Sequence, residues 1–134
     1  MRKLRGASGE SLMSNIRLSP NFHRSEFACP VSGIATVDHE LLTVLEAVRE
    51  YFEEPVIVTS GFRSEEYNRK IGGAPSSYHL IGQAADIRIL GVGPKTIVKL
   101  LRKWYPHKYG IGEYPAHVHV DIRDEPVTWI AGAG

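Results

Sequence analysis

The sequence predicts an α+β domain in which helices flank a small, mostly antiparallel sheet. Apolar residues recur at helical spacing in two stretches, and four short runs have the composition or the alternation that is typical of strands. The last two runs are separated by a connection short enough for a hairpin, which favours antiparallel pairing. Helices and strands therefore follow one another along a chain that can form one layered domain.

The first half of the domain is predicted to hold a long helix, a strand and a short helix. Asp38 is placed to cap the long helix, and Pro55 ends it because proline cannot continue a helix. The β-branched run at residues 56–59 is predicted to be a buried strand. Ser64 then caps a short helix over residues 65–70. The apolar stripe of the long helix is assigned to the core, and its members are Leu41, Leu42, Val44, Leu45, Val48, Tyr51 and Phe52.

The second half adds a loop, three strands and a further helix. Residues 72–77 are rich in glycine, proline and serine, which predicts an irregular loop. A strand is predicted at residues 84–89, and a helix with one apolar face begins at residues 93–94. The remaining strands are predicted at residues 109–113 and 117–122.

The length and composition fit one domain with a workable core. At 134 residues the chain is of ordinary single-domain size. Residues 1–15 are polar and rich in glycine and serine, so they are predicted to be a flexible lead. The domain itself is assigned to residues 16–128, and residues 129–134 are predicted to be a frayed tail because they end in Gly-Ala-Gly.

Charge and hydropathy exclude several classes of function. A net charge of +1 gives no electrostatic reason to expect a nucleic-acid partner. No apolar run reaches the length of a signal peptide or a membrane span, so no membrane insertion is expected. The single cysteine, Cys29, cannot form an internal disulfide.

Two histidine-containing motifs predict one zinc site. His79 lies in the polar loop and Asp86 in a strand, and Gly82 between them lets the chain turn so that both side chains face one point. His117 and His119 are two residues apart on a strand, so they face the same side. One of them is predicted to be the third ligand and the other a neighbour that binds the developing oxyanion. Nitrogen and oxygen ligands suit Zn²⁺, and a catalytic zinc keeps three protein ligands and a water.

Three further residues would complete a hydrolytic site. Peptide hydrolysis needs a group that takes a proton from the attacking water, and Glu113 is the candidate because its strand is predicted to face the histidines. Arg63 follows a strand, where its planar guanidinium could grip a carboxylate. Asp121 shares the face of the histidines and is expected to orient an imidazole. Each feature alone is common in proteins without a metal, and it is their combination that predicts a zinc-dependent hydrolase.

The order and spacing of these motifs resembles a known family. From the N-terminus the blocks are Ser60-Gly61-Phe62-Arg63-Ser64, Asn68, Gly72-Gly73-Ala74, Ser77-x-His79-x-x-Gly82-x-Ala84-x-Asp86 and His117-x-His119-x-Asp121. Together they resemble the zinc D-Ala-D-Ala carboxypeptidase family, which includes bacterial and phage murein peptidases. The resemblance runs from about Leu18 to Arg123 and implies a hedgehog/DD-peptidase-like fold.

The resemblance also implies a role for individual residues. It assigns the zinc ligands to His79, Asp86 and His119. It implies that Arg63 holds a carboxylate of the substrate and that His117 stabilises the transition state. Ser77 and Gln83 are implied to be residues of the pocket wall that contact substrate.

The acidic catalytic residue is where the chain departs from many members of that family. The family's acid lies three positions before the last zinc histidine, and Ala116 occupies that position here. The nearest carboxylate, Glu113, gives the pattern Glu-x-x-Ala-His-x-His, which is similar to the zinc site of hedgehog signalling domains. By that similarity Glu113 is expected to reach the attacking water and to serve as general base.

The expected function is that of a zinc metallopeptidase that hydrolyses peptidoglycan stem or cross-link peptides. The resemblance leaves open a D,D-carboxypeptidase, a D,D-endopeptidase and an L-Ala-D-Glu endopeptidase. The alternative is a non-catalytic zinc domain that binds cell-wall peptide or a protein partner, which Ala116 supports. A cysteine hydrolase based on Cys29 is a third class, although no histidine is paired with it in the sequence.

The expected partners and location follow from the same resemblance. The partner is a peptidoglycan peptide, with no nucleic acid, and the protein is expected to be a monomer. No secretory signal is visible, so the protein is expected to stay in the cytoplasm until release, or to be associated with a phage as an endolysin, and to act on the cell wall.

Overall fold

Seven strands, three α-helices and two 3₁₀ helices make up residues 15–131, which are the residues that this computed structural model describes. In chain order they are β1 (Arg17–Ser19), β2 (Phe22–His23), a first 3₁₀ helix (Arg24–Phe27), α1 (His39–Phe52), β3 (Val56–Ser60), α2 (Glu65–Lys70), a second 3₁₀ helix (Tyr78–Ile81), β4 (Ala84–Ile89), α3 (Pro94–Trp104), β5 (Gly110–Glu113), β6 (Val118–Asp121) and β7 (Val127–Ile130). None of the described helices is long and apolar enough to cross a membrane.

The helices begin where the sequence predicts their caps. The Asp38 side chain accepts a hydrogen bond from the amide of Glu40 at 2.9 Å, which satisfies a backbone donor at the start of α1. Ser64 does the same for α2, with its Oγ 3.2 Å from the amide of Tyr67. Pro94 stands in the first turn of α3, where its missing N–H costs nothing.

The main sheet has five strands in the order β3-β4-β6-β5-β7. The pairs β3–β4, β4–β6 and β5–β6 are antiparallel, and β5–β7 is parallel. The prediction of an α+β fold with a mostly antiparallel sheet is therefore confirmed. β1 and β2 pair separately as a small antiparallel ribbon.

Side-chain alternation gives the main sheet two different faces. One face packs against α1 and α3, and its buried residues include Ile87, Ile111, Val118 and Val120. Because side chains alternate along a strand, the neighbours of these residues point to the opposite face. That second face carries Asp86 and His119, so the core supports the polar site from behind.

Two predictions for the strands are wrong. The tail predicted at residues 129–134 begins inside β7, and Trp129 pairs with Gly112 of β5. The run at residues 56–59 forms a strand but is not buried throughout, because β3 is an edge strand and Ile57 is 39% exposed. The predicted lead lies outside the described residues except for Asn15, and so do residues 132–134 of the predicted tail.

Glu46 of α1 fastens the β1–β2 ribbon to the domain. Its carboxylate accepts hydrogen bonds from Ser19 Oγ at 2.6 Å, from the Asn21 amide at 2.7 Å and from Asn21 Nδ2 at 2.7 Å. Burial alone would raise the pKa of Glu46, but the hydrogen bonds from Asn21 and Ser19 hold it below its usual value. Because the pKa of Glu46 is lower in the folded protein than in the unfolded chain, its ionised carboxylate stabilises the fold at pH values above the unfolded pKa of about 4.3. This stabilisation is lost as the pH falls through the lower pKa of the folded protein.

Replacing Glu46 by glutamine is expected to lower the free energy of unfolding by about 1 kcal/mol at about pH 7, after allowance for solvent screening. The loss should shrink below about pH 4, where the wild-type carboxylate itself takes up a proton. Urea denaturation at both pH values checks this. Glu50→Gln, an exposed site one turn along the same helix, is the control. Equal unfolding free energies for the two variants at neutral pH would contradict the assignment.

Candidate metal centre

Three side chains converge on one point of the polar face. Asp86 and His119 are direct cross-strand partners in the β4–β6 pair, so their side chains leave the sheet side by side. His79 comes from the second 3₁₀ helix, whose N-terminus is capped by Ser77. The donor atoms of the three residues all lie within 4.8 Å of one another. Asp86 Oδ1 is 3.2 Å from His79 Nε2 and 3.2 Å from His119 Nδ1.

A glycine ends the 3₁₀ helix and sets the approach of His79. Gly82 has φ +73°, in the left-handed region that glycine adopts without strain. A Cβ at this position would lie 2.3 Å from the carbonyl oxygen of Thr36. The chain therefore turns sharply against the segment before α1 and enters β4, which brings Asp86 Oδ1 within 3.2 Å of His79 Nε2.

In His79 and in His119, the ring nitrogen that faces away from Asp86 is hydrogen-bonded to an acceptor. His79 Nδ1 donates to the carbonyl of Gly61 at 2.8 Å, and His119 Nε2 donates to Asp121 Oδ2 at 2.7 Å. A neutral imidazole that donates from one nitrogen has its lone pair on the other. Both lone pairs therefore point at Asp86 Oδ1, and three electron-rich atoms face one another. A cation among them, either a proton or a metal ion, would remove this repulsion, and the two nitrogen donors and one oxygen donor fit a metal ion.

The pKa values of Asp86 and His119 also indicate that the site favours a positive charge between its ligands. Burial alone would raise the pKa of Asp86, but hydrogen bonds with His119 and His79 hold it well below its usual range. Burial alone would lower the pKa of His119, yet its hydrogen bonds with Asp121 and Asp86 raise it. Without a metal the site thus favours a proton between the ring and the carboxylates, and metal binding would displace that proton.

Asp121 is itself fixed by Arg123. The fully buried carboxylate accepts hydrogen bonds from Arg123 Nε at 2.8 Å and Nη2 at 2.7 Å, and from the amide of Gly110 at 3.2 Å. Burial alone would raise the pKa of Asp121, but the hydrogen bonds from Arg123 and His119 hold it well below its usual range. Asp121 therefore remains ionised and keeps His119 in the tautomer that a metal needs.

The sheet and the loop enclose a cavity of about 540 Å³ above these residues. Its floor is the three convergent residues, and its walls come from the loop at residues 71–78 and from Tyr114, His117, Arg123 and Trp129. Trp129 lies over Gly112, where a Cβ would be 2.4 Å from the indole, and its ring is 5.2 Å from that of His119. Gly112 in β5 thus leaves space for the indole of Trp129 beside His119.

Arg63 lies in the cavity and is anchored by three neighbours. Its Nη2 is 3.2 Å from Asp86 Oδ2, Nε donates to Ser60 Oγ at 3.1 Å and Nη1 donates to Asn68 Oδ1 at 3.2 Å. These contacts use one N–H of each nitrogen. Among the described residues, no hydrogen bond is recorded for the second N–H of Nη1 or of Nη2. Arg63 can therefore hold Asp86 and still present two donors to a ligand.

His117 and Ser77 also line the cavity. The ring of His117 is stacked on Tyr114, with 4.4 Å between the centroids and an interplanar angle of 12°. Its Nε2 is 3.9 Å from Asp86 Oδ2, and its side chain is 31% exposed. Ser77 contributes to the wall while its Oγ caps the 3₁₀ helix. Both residues are in reach of a molecule bound over the three convergent residues.

The structure does not bring Glu113 to the site, which corrects the prediction of its role as general base. Glu113 pairs with Val118 in the β5–β6 ladder, whereas Gly112 pairs with His119. Since side chains alternate along a strand, Glu113 lies on the helix-bearing face with Val118. It borders a shallow surface cavity with Lys99 and Arg102 instead. The predicted strand is right, and the predicted face is wrong.

Gln83 is also absent from the wall of the cavity, so its predicted substrate contact is not supported by the geometry. Its Nε2 donates to Asp38 Oδ2 at 3.4 Å, and its backbone carbonyl accepts from the amide of Ile122 at 3.1 Å. The side chain therefore ties the start of β4 to the cap of α1. Asp38 is the N-cap residue of α1, so the hydrogen bond from Gln83 stabilises the fold and does not contact a ligand.

The lone cysteine lies outside the cavity. Cys29 is 1% exposed, and its Sγ is 3.5 Å from Ser64 Oγ. Burial alone would raise the pKa of the thiol, but hydrogen bonds with Ser32 and Ser64 lower it to about 6. Among the described residues, no histidine has a recorded contact with Cys29, so the geometry gives no support to a cysteine hydrolase.

Three residues of the site are not predicted from the sequence. Arg123 continues the alternation of His117, His119 and Asp121, so its position two residues after Asp121 is a signal that the sequence contains. Trp129 has no such signal, because its strand pairs in parallel with β5 at a distance along the chain. Tyr114 lies in the turn between β5 and β6, and its contact with His117 depends on the shape of that turn.

An α+β domain with two imidazoles, one carboxylate and an arginine at an open cavity has the features of a catalytic metal site. The sequence model of the peptidase M15 family matches residues 20–121, and the chain belongs to this family. The zinc D-Ala-D-Ala carboxypeptidase of Streptomyces albus G is 37% identical over 94 residues. That match covers 65% of this chain but only 35% of the length of the Streptomyces protein.

Proposed function

We propose that the protein is a zinc-dependent peptidase that hydrolyses stem or cross-link peptides of peptidoglycan. The observation that carries the proposal is the convergence of two imidazole lone pairs and one carboxylate oxygen on the floor of a cavity that also holds an arginine. Membership of the peptidase M15 family supports the peptidase activity. The name of the Streptomyces relative supports zinc as the metal and a D-alanyl peptide as the class of substrate.

The ion would be held by His79, Asp86 and His119, the residues whose lone pairs converge. Zinc at this place would polarise the scissile carbonyl and acidify a water. The protein supplies a preorganised site, because the acceptors at Gly61 and Asp121 fix both rings before any ligand arrives.

Arg63 is proposed to bind the carboxylate of the peptide. Its side chain is immobilised by Ser60, Asn68 and Asp86, so little conformational entropy is lost when a ligand binds. A terminal carboxylate held here places the adjacent peptide bond over the floor of the cavity. This contact favours carboxypeptidase cleavage, and the D,D-endopeptidase and L-Ala-D-Glu endopeptidase activities differ from it in the products that they release.

His117 is proposed to move the proton. It is the one histidine among the described wall residues that is not one of the three convergent residues, and its Nε2 is 3.9 Å from the nearest recorded carboxylate oxygen, Asp86 Oδ2. Stacking on Tyr114 fixes the plane of the ring, so Nε2 stays directed at the space above Asp86. In this proposal Nε2 takes a proton from the attacking water and returns it to the leaving amine.

The test is digestion of purified murein by the zinc-loaded protein, with the products identified by mass spectrometry. His117→Gln is expected to lower kcat by about 10²- to 10⁴-fold, the usual contribution of a general base, while it leaves zinc content unchanged. His107→Gln, at an exposed site, is the matched control. Glu113→Gln should retain activity because its carboxylate lies on the other face of the sheet.

A non-catalytic zinc domain that binds cell-wall peptide is the second candidate. The observation that favours it is that the described turn between β5 and β6 has no carboxylate to act on a water, because Ala116 lies in the turn and Glu113, just before it, points to the other face of the sheet. Zinc-dependent binding of murein with no cleavage product would establish this candidate and refute the peptidase. Cleavage by the wild type that Glu113→Gln abolishes would instead restore Glu113 to the mechanism.

A further inference from the structure

A second concave surface adjoins the metal centre on the side away from Arg63. The β4–β6 ladder ends at the pair Ile87↔Val118, but β4 continues to Ile89, which forms an isolated bridge to Val92 in the turn that follows and does not pair with β6. The place that β6 would occupy is left open because the chain enters β6 from the turn at Tyr114–His117. A cavity of about 260 Å³ opens there, and we call it the β4 notch. Its walls are mainly apolar, with Ile57, Leu90, Val92, Pro94 and Ala116 among them.

The β4 notch is continuous with the metal centre through one residue. His117 belongs to the walls of both cavities. A ligand that passes over the floor of the first cavity therefore reaches the notch by passing His117. Ala116 also lines the notch, and its small side chain keeps that entrance wide.

The notch carries one charged side chain, that of Arg88. Arg88 is two residues from Asp86 on β4, so it lies on the same face of the sheet, roughly 7 Å along the strand. It is exposed, and its cross-strand partner is the apolar Ile57. Within residues 15–131 no ion pair or side-chain hydrogen bond is recorded for Arg88. An exposed guanidinium next to apolar side chains, with no recorded acidic partner, suits an anionic ligand.

The two arginines lie on opposite sides of the metal centre. Ser60 pairs with Asp86 at the end of the antiparallel β3–β4 ladder. The chain after Ser60, which includes Arg63, therefore continues past Asp86 in the direction of Ala84. Arg88 lies in the other direction along β4. A peptide that crosses the floor of the first cavity would have one guanidinium near each end.

We propose that the β4 notch is a second substrate subsite, in which Arg88 binds a carboxylate at the end of an apolar side-chain stem. This carboxylate belongs to the part of the peptide on the other side of the scissile bond from the carboxylate that Arg63 holds. The inference rests on the proposed peptidase function and defines its substrate class as a peptide with an anionic group on each side of the bond.

The test compares two synthetic peptides that differ only in this side-chain group, which is a free carboxylate in one and a carboxamide in the other. Binding to the zinc-loaded protein is measured by calorimetry, and kcat/KM is measured separately. The wild type is expected to bind the carboxylate form about tenfold more tightly, and Arg88→Gln should bind both forms equally. Arg69→Gln removes the same charge from an exposed site outside both cavities and should keep the tenfold preference.

The outcomes separate the subsite from the peptidase activity. A preference that persists in Arg88→Gln, or equal binding of the two peptides by the wild type, would overturn the subsite whether or not the peptides are cleaved. A preference that depends on Arg88 in a protein that cleaves neither peptide would support the subsite and refute the peptidase. Circular dichroism of Arg88→Gln checks that this exposed substitution leaves the fold intact.

Discussion

Asp86→Asn is expected to weaken zinc binding by at least about 100-fold and to abolish detectable hydrolysis. Asp86 is the residue on which His79, His119 and Arg63 all converge, and an amide has neither the charge nor the basicity of the carboxylate. Wild-type protein in zinc at about 1,000 times its dissociation constant should gain about 4 kcal/mol of stability from mass action. The variant should gain little at the same zinc concentration. Competition with a chromophoric chelator and thermal denaturation with and without zinc measure both effects.

Asp124→Asn is the matched control for this experiment. Asp124 is exposed in the connection between β6 and β7 and undergoes the same chemical change without contact with the cavity. It should bind zinc like the wild type and gain the same thermal stability. Zinc affinity in Asp86→Asn equal to that of the control would show that the three convergent side chains do not form the metal site.

Gly61→Ala is expected to destabilise the fold by about 3 kcal/mol and to weaken zinc binding, although Gly61 has no side chain to offer a metal. A Cβ at Gly61 would lie 2.6 Å from the Cα of Phe27 and 2.8 Å from its carbonyl oxygen. The obstacle is backbone next to a fully buried phenylalanine, so it cannot move aside cheaply. A shift of the Gly61 carbonyl would release His79 Nδ1, which that carbonyl holds at 2.8 Å. Chemical denaturation and zinc competition on the same preparation measure both effects.

Gly93→Ala is the control for the added methyl group. A Cβ at Gly93 meets nothing within 4 Å, and the residue caps α3. Its replacement should cost under about 1 kcal/mol and leave zinc affinity unchanged. If Gly61→Ala were as stable as Gly93→Ala, the close approach of β3 to the first 3₁₀ helix would not be under steric constraint.

The sequence predicted most of the elements because their signals are local. Asp38, Pro55 and Ser64 act within a few residues of their own position, and the helices begin and end as these residues require. The alternation of His117, His119 and Asp121 likewise puts their side chains on one face of a strand. The metal-binding motifs are local in the same sense, so the three convergent residues could be named before their positions in space were known.

What the sequence did not predict depends on register and on distant pairing. The face to which Glu113 points is fixed by its pairing with Val118, and a shift of one residue would have turned it toward the histidines. Trp129 reaches His119 because β7 pairs in parallel with β5, and a parallel partner cannot be recognised from a four-residue run. The β4 notch exists because one strand is longer than its neighbour, which again is a property of the assembled sheet.

The guanidinium of Arg123 contacts both the buried Asp121 below the metal centre and two aromatic rings at the mouth of the cavity. Its guanidinium lies 4.7 Å from the ring of Tyr78 on the loop side and 5.6 Å from that of Trp129 on β7. Each of these cation–π contacts is worth about 0.5–1 kcal/mol at an exposed site, which is close to thermal energy. The charged hydrogen bonds to Asp121 are stronger and hold the same residue to the sheet. Arg123 therefore fixes the geometry around His119 firmly, while its contacts with the two aromatic rings at the mouth of the cavity are weaker.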